Sequence, residues 1–336
     1  MYNSKILGLG HYVPENVVTN KDLQEFMDTS DDWIQERTGI QERRWVEEGS
    51  GDSTSTMGVK AAKIAIERAG IDKDEIDFII FATLSPDYYF PGPGVQVQKD
   101  LDIKTVGALD VRNQCSGFVY AISVADQFIK TGMYKNILVI GSELHSHGLD
   151  KTTRGRGVSV IFGDGAGAAV LAREEDLSKG ILSTHLHSQG EHAEELIVKA
   201  PGMGTRWVTD IIAENDPTDE SYFPYMNGQF VFKNAVVRFS EVIMEGLQKN
   251  NLSKEDINML IPHQANLRIA QFIQRKFGLG DDQVFNNIMK YGNTTAASIP
   301  IALTEAWEQD KINEGDLVVL AAFGSGFTWG SVIIRW

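Results

Sequence analysis

An α/β fold built from two similar halves is what the amino-acid sequence predicts, and two patterns predict it. Short apolar runs of strand length alternate with segments of helical period, as in sheets covered by helices. The second pattern is a repeat. Residues 71–80 (IDKDEIDFII) align with 252–261 (LSKEDINMLI) at an offset of 181, with Lys73/Lys254, Ile76/Ile257 and Ile80/Ile261 identical. Residues 136–141 (NILVIG) align with 316–321 (DLVVLA) at an offset of 180. Helix-turn-strand segments resemble one another by chance, but two matches at nearly one spacing favour a duplication. The halves are expected at 1–175 and 176–336.

The elements follow in order. GVKAAKIAIERAG (58–70) has the spacing of a helix closed by Gly70, and DFIIFATL (77–84) reads as a buried strand. Residues 106–111 form a further strand, followed by a helix from about Ser116 to Ile129 that stops near Thr131-Gly132. NILVIG is again a short buried strand. Residues 210–224 (DIIAENDPTDESYFP), acidic and broken by two prolines, read as a surface excursion between the halves.

Composition narrows the function classes. Of 336 residues, 42% are hydrophobic, enough for a sizeable core and too many for a disordered chain. With 31 Lys+Arg against 46 Asp+Glu, the net charge of -15 argues against a nucleic-acid backbone as partner, although a local basic patch is compatible with it. Cys115 is the single cysteine, so no intrachain disulfide can form. The N-terminal residues lack the apolar stretch of a secretory leader, and no apolar run approaches the ~20 residues that span a bilayer. A cytoplasmic protein without membrane insertion is the expectation.

In α/β sheets, sites gather beyond the carboxyl ends of strands. Cys115, in ALDVRNQCSGFVYAISVADQFIK, lies between an extended run and a helix, whose N-terminus favours a thiolate. Its plainer reading is a small buried hydrophobe. Adding the offset of 180 to residue 115 gives 295, within two residues of Asn293 in YGNTTAASIP, and His263 ends the repeated strand in MLIPHQANLRIA. The three side chains are expected to converge near a pseudo-twofold axis. There the imidazole and the amide can donate hydrogen bonds to a developing oxyanion; the plainer readings are a structural histidine and a turn asparagine. In Phe323-Gly324-Ser325-Gly326-Phe327 the glycines admit close backbone approach, so one N–H there can complete an oxyanion hole with that of Cys115. Gly-rich Phe162–Ala172 and Gly8-Leu9-Gly10 do not complete a dinucleotide fingerprint. His145/His147 and His185/His187 lack the further ligand pair of a zinc site, and no metal is expected.

These segments together resemble β-ketoacyl-acyl-carrier-protein synthase III, a decarboxylating condensing family of the thiolase superfamily. The likeness runs from about Ile6 to Arg335 and rests on DTSDDWIQERTGIQER, the Cys115 segment, VIFGDGAGAAVL, IPHQANLRIA, YGNTTAASIP and AAFGSGFTWGS. It implies a thiolase-like five-layered α-β-α-β-α fold of two halves, usually homodimeric. It also implies acyl transfer from acyl-CoA to Cys115, and decarboxylation of malonyl-acyl-carrier protein on His263 and Asn293, with no cofactor beyond the substrates. By the same likeness, Trp33, Arg37 and Arg154 (or Arg156) would hold coenzyme A and Asn266 its pantetheine arm. Leu84, Phe90 (from across a dimer) and Phe323 would shape the acyl pocket. Lys233, Arg268, Arg275 and Lys276 would dock the acidic carrier protein. Asn113-Gln114 departs from the small residues that many members carry before the nucleophile. The acyl chain length stays open, as does the choice between fatty-acid initiation and a specialised ketosynthase. The chain order Cys, His, Asn also occurs in papain-like hydrolases, but their C-G-[SA]-C-[WY] signature is absent. A fold that has lost its chemistry is the remaining rival.

Overall fold

The computed structural model describes residues 2–202, 204, 208–214, 216 and 218–336, with only the backbone of Val208 and Ile211. Its strands in chain order are β1 (Asn3–Tyr12), β2 (Val17–Thr19), β3 (Glu42–Arg44), β4 (Phe78–Ala82), β5 (Gly107–Val111), β6 (Asn136–Glu143) and β7 (Gly165–Glu174), then β8 (Gly180–Ser188), β9 (Leu196–Ile197), β10 (Tyr225–Met226), β11 (Met259–Pro262), β12 (Leu317–Gly324) and β13 (Thr328–Arg335). The first sheet has the order β1-β7-β6-β4-β5 and the second β8-β13-β12-β11. The orders superpose. In each sheet one parallel pair (β4/β6, β11/β12) is followed by two antiparallel ones (β6/β7 and β7/β1; β12/β13 and β13/β8). A parallel bridge from Leu260 to Val284 stands where β5 stands in the first sheet. Residues 175–179 link β7 of one sheet to β8 of the other.

Helices complete five layers. Thr54–Ala69 and Pro93–Asp100 cover the outer face of the first sheet, and Gly228–Lys249 and Leu267–Phe277 that of the second. Between the sheets lie Gly117–Lys130 and Ser298–Glu308, whose starts are 181 residues apart. Gly117–Lys130 buries Phe118, Val119, Ala121, Ile122, Ala125 and Ile129, as an all-round apolar helix must. A fully buried isoleucine there is worth about 2–5 kcal/mol over alanine.

The expected elements are present with shifted ends. The helix expected at 58–70 starts at Thr54, because the Ser53 side chain caps it; Gly70 closes it at φ 65°. The strand expected to reach residue 84 ends at Ala82, since Thr83 and Leu84 turn towards the Glu143 carboxylate. The helix expected from Ser116 begins at Gly117, after a 3-10 turn over Gln114–Ser116. In the expected excursion, Val208–Glu214 is helical and Glu220–Tyr222 forms a turn; residues 215 and 217 lie outside the described residues.

The repeat corrects one alignment. At an offset of 181, Cys115 falls on Ala296 and Asn293 on Arg112. The turn Gln114–Ser116 has a counterpart in Thr295–Ala297, and Gln114 and Thr295 share a left-handed φ of 43°. The two turns abut. A Cβ on Gly117 would stand 3.4 Å from that of Ala296, and one on Gly141 would lie 2.3 Å from the Ala296 carbonyl oxygen.

Candidate active site

Cys115 sits between the exposed end of β5 and the N-terminus of Gly117–Lys130, on the left-handed turn just described. The β12–β13 hairpin crosses over it so closely that a Cβ on Gly324 would lie 3.0 Å from Sγ. Only glycine fits there. The backbone N–H groups of Ser325 and of Cys115 itself both donate towards the sulfur. Two amides converging on a nucleophile are the donor pair that a tetrahedral oxyanion requires.

His263 follows β11, its amide bonded to the Ala321 carbonyl (2.8 Å), which places the ring at the carboxyl end of the second sheet. Nδ1 lies 2.6 Å from Ser298 Oγ. The Gln264 amide donates to Ser298 Oγ (3.4 Å), and the tautomer in which the hydroxyl donates to Nδ1 is the one that carries the ring proton on Nε2. Nε2 is buried without a partner. Burial pushes the imidazole down to about 3, so it is neutral at physiological pH. Asn293 is held by backbone bonds to Ile161 and Gly163 (2.8 and 3.1 Å). The glycine of the FGDG run permits this approach, since a Cβ on Gly163 would fall 2.1 Å from the Tyr291 carbonyl oxygen. The Asn293 Oδ1 accepts from the Thr295 amide (2.8 Å), which leaves its NH2 free to donate. Cys115, His263 and Asn293 line one cavity of about 550 Å³.

Behind the nucleophile lies Glu143, fully buried. It accepts from Thr83 Oγ1 (3.0 Å), the Leu84 amide (3.1 Å), Ser85 Oγ (2.6 Å) and the Thr295 hydroxyl. Burial raises its own carboxyl pKa. Burial first, and the Glu143 charge second, push the Cys115 thiol from 9.0 up to about 12, against the two amides. A negative charge opposes a second one beside it, so removing it must lower the thiol pKa. Glu143→Gln is therefore expected to move the pH profile of iodoacetamide alkylation to lower pH. An unmoved profile, or one displaced upward, would refute the coupling.

The mouth of the cavity carries Trp33, Arg37, Asn266 and Arg268. The Arg37 and Arg156 guanidinium groups lie 4.5 and 5.3 Å from the Trp33 ring. Arg154 points elsewhere: Nε binds Asp150 Oδ2 (2.6 Å), Nη1 donates to the Thr218 carbonyl (3.0 Å), and its guanidinium stacks over Phe223. Of the two candidates, Arg156 is therefore the one beside Trp33. The Asn266 side chain caps the helix Leu267–Phe277 through Arg268 and donates to the Arg37 carbonyl (2.9 Å). Phe323 lines the cavity; Leu84 and Phe90 do not. For Leu84 the expected pocket is corrected, since Glu143 holds its backbone aside; Phe90, expected from across a dimer, is 81% exposed and projects from a loop with Tyr88 and Tyr89. Lys233, Arg268, Arg275 and Lys276 are exposed on adjacent outer helices, with exposed Val237 and Phe272 one turn from Lys233 and Arg268.

One histidine pair separates and the other stays together. His145 is buried against Thr295 (3.0 Å) while His147 is exposed; His185 and His187 both face Glu245 (3.4 and 2.6 Å). Among the described residues, no group of three or more His, Cys, Asp or Glu is placed to hold a metal ion. Sequence reasoning passed over Glu143, Thr295 and Ser298. An acid closing the otherwise apolar strand NILVIGSE was the one available signal, because nothing in spacing marks a hydroxyl that orients its neighbour.

A cysteine at a helix N-terminus, two amides trained on it, and a facing imidazole and amide, on a duplicated five-layered frame, define a thiolase-fold enzyme with a cysteine nucleophile. Family models agree: residues 109–190 match 3-oxoacyl-[acyl-carrier-protein (ACP)] synthase III and residues 247–336 its C-terminal part. Beta-ketoacyl-[acyl-carrier-protein] synthase III of Aliivibrio fischeri is 46% identical over 332 residues, 99% of each chain, and that of Yersinia pseudotuberculosis is 45% identical over the same span. The crystal structure of 3-oxoacyl-[acyl-carrier-protein] synthase III from Aquifex aeolicus is 43% identical, with a TM-score of 0.89 over 99% of this chain and 100% of that one. The priming β-ketosynthase of the R1128 polyketide pathway is 29% identical, with a TM-score of 0.88 over 99% of this chain and 96% of that one. The chain belongs to the β-ketoacyl-acyl-carrier-protein synthase III family.

Proposed function

We propose that this protein condenses an acyl-CoA primer with malonyl-acyl-carrier protein, the step that initiates fatty-acid synthesis. One observation carries the reading. A thiol held by two backbone amides and an unpartnered imidazole Nε2 share a single cavity, so an electrophile and an enolate can be held face to face. In the first half-reaction the Cys115 sulfur attacks the thioester carbonyl. Its oxygen becomes an anion between the Cys115 and Ser325 amides, the bond to the CoA sulfur breaks, and the thiol proton ends on CoA. This is covalent catalysis with ping-pong kinetics. In the second, the malonyl thioester loses CO2 and its electron pair forms an enolate. The enolate oxygen takes hydrogen bonds from His263 Nε2 and Asn293 Nδ2, which strengthen as charge develops. The α-carbon then attacks the acyl carbonyl, the new C–C bond replaces the C–S bond, and the sulfur recovers a proton from solvent. The carboxylate supplies the carbanion, so the scheme calls for no metal or redox cofactor.

Binding follows the groups at the mouth. Trp33 between Arg37 and Arg156 suits an adenine ring with phosphates, and Asn266 suits the amides of a pantetheine arm. The basic patch around Val237 and Phe272 suits an acidic carrier protein, whose approach it would steer on an otherwise negative chain. Arg156→Ala is expected to raise KM for acyl-CoA several-fold and Arg154→Ala to leave it unchanged. Arg275→Glu is expected to raise KM for malonyl-carrier protein alone; the reverse pattern would reassign these cations. The exposed edge strand β5, with Leu109 and the Tyr88-Tyr89-Phe90 loop, supports a second copy of the chain as its cover. No helix among the described residues is long and apolar enough to cross a membrane.

Intact mass spectrometry tests the activity. Acyl-CoA alone should add one acyl group at Cys115; malonyl-carrier protein should then discharge it as a β-ketoacyl product with CO2. Discharge to free acid without malonate would indicate a hydrolase, and no adduct from short, branched or long donors would refute the reading. Under native conditions the same protein should weigh twice 37.2 kDa. Identity of 45–46% to synthases III over 99% of each chain favours the fatty-acid role over a specialised ketosynthase.

A further inference from the structure

The two amides of the oxyanion hole stand on segments that are far apart in the chain. One belongs to the turn Gln114–Ser116, the other to the hairpin between β12 and β13. No covalent path of useful length sets their separation, yet a sub-ångström error there would misplace both donors.

A chain of hydrogen bonds, buried at its Ser116–Thr328 link, spans the gap. Asn113 Nδ2 donates to Ser116 Oγ (3.1 Å), Ser116 Oγ lies 2.8 Å from Thr328 Oγ1, and Thr328 Oγ1 donates to the Ser325 carbonyl (3.0 Å). Each hydroxyl has one proton. With the Thr328 proton committed to Ser325, Thr328 Oγ1 must accept from Ser116. Ser116 also reaches the Asn113 carbonyl (3.0 Å), so its proton is shared between two acceptors, both of them within the bracing group. The Ser116–Thr328 bond thus joins the segment before the nucleophile to the loop that carries the second amide, while the Ser116 bond to the Asn113 carbonyl ties the former segment to itself. Ser116 is fully buried and Thr328 nearly so, which strengthens each bond and makes its loss costly. Thr328 is also the cross-strand partner of Gly324, the glycine pressed against the sulfur. Asn113 occupies the place where the sequence departs from small residues.

We propose that Asn113, Ser116 and Thr328 are positioning residues for acyl transfer: a hydrogen-bonded brace that sets the spacing between the Cys115 and Ser325 amides. The brace rests on the reading of Cys115 as an acyl carrier, and its test is separable from that reading. Two reagents attack the same sulfur. Iodoacetamide reacts by displacement at a saturated carbon, forms no oxyanion, and reports the thiolate population. p-Nitrophenyl acetate acylates through a tetrahedral oxyanion, whatever the natural donor is. For Thr328→Val and Ser116→Ala, the ratio of acylation to alkylation rates is expected to fall by about 10–100-fold. Thr328→Ser, which keeps the hydroxyl, should restore it. Circular dichroism checks the fold, and Asn113→Ala, at a half-buried side chain, carries the test if the core variants do not fold. A ratio that stays at the wild-type value, or both rates falling together, would overturn the brace. Wild-type protein that accepts acetyl from p-nitrophenyl acetate but from no acyl-CoA would overturn the activity and leave the brace standing.

Discussion

Cys115→Ala should abolish acyl-enzyme formation altogether, with condensation falling by at least about 10⁴-fold, while decarboxylation of malonyl-carrier protein persists. The first half of that expectation is chemical. Cys115 is the chain's single cysteine, so no second thiol can take over as acyl carrier. The second half is geometric. His263 Nε2 and the Asn293 amide are oriented by Ser298 and Thr295, and neither is held by the sulfur. Radiolabelled CO2 release, measured beside intact mass, checks both halves. Retention of any acyl adduct at another residue, or loss of decarboxylation equal to that of condensation, would contradict the assignment.

His263→Ala is expected to show the complementary pattern. Decarboxylation should fall by about 10²–10³-fold, the effect of losing one preorganised oxyanion donor, or roughly 3–4 kcal/mol of transition-state stabilisation. Acylation should survive in part, because the Cys115 and Ser325 amides are untouched. The neutral state of the ring matters here. An imidazole pushed down to about 3 cannot change charge between pH 5 and 8, so decarboxylation should lack a histidine-like inflection near 6.5. A clear inflection there, abolished by the substitution, would mean that His263 acts by protonation and not by donating a fixed hydrogen bond.

Much of the fold was legible because its signals are periodic. The alternation of strand and helix and the 181-residue repeat need no long-range information, and both are matched by the superposable strand orders. Cys115, His263 and Asn293 could be singled out because strand ends are where chemistry gathers. The shape of the acyl pocket was less legible. Leu84 leaves the cavity because the Glu143 carboxylate draws its amide aside, and a carboxylate on another strand leaves no trace in local pattern. Arg154 and Arg156 differ by two positions, and only the three-dimensional pull of Asp150 on the former separates them. The hydroxyls of Ser116, Thr295, Ser298 and Thr328 were invisible for the same reason. Their partners lie on other segments or in the backbone, and serine and threonine are common everywhere.

The apposition of the turns Gln114–Ser116 and Thr295–Ala297 bears on how members of such a lineage can diverge. At that midline a methyl added to Gly141 would fall 2.3 Å from the Ala296 carbonyl oxygen of the opposite half, so substitution there should be resisted whichever substrate is selected. Tolerance should lie at the periphery, in the ribbon that carries Leu196 and Met226 over the cavity and, through the proposed second copy, in the projecting loop at Phe90. Changes of chain-length preference among descendants should accumulate in those rims, with the midline carried forward unaltered.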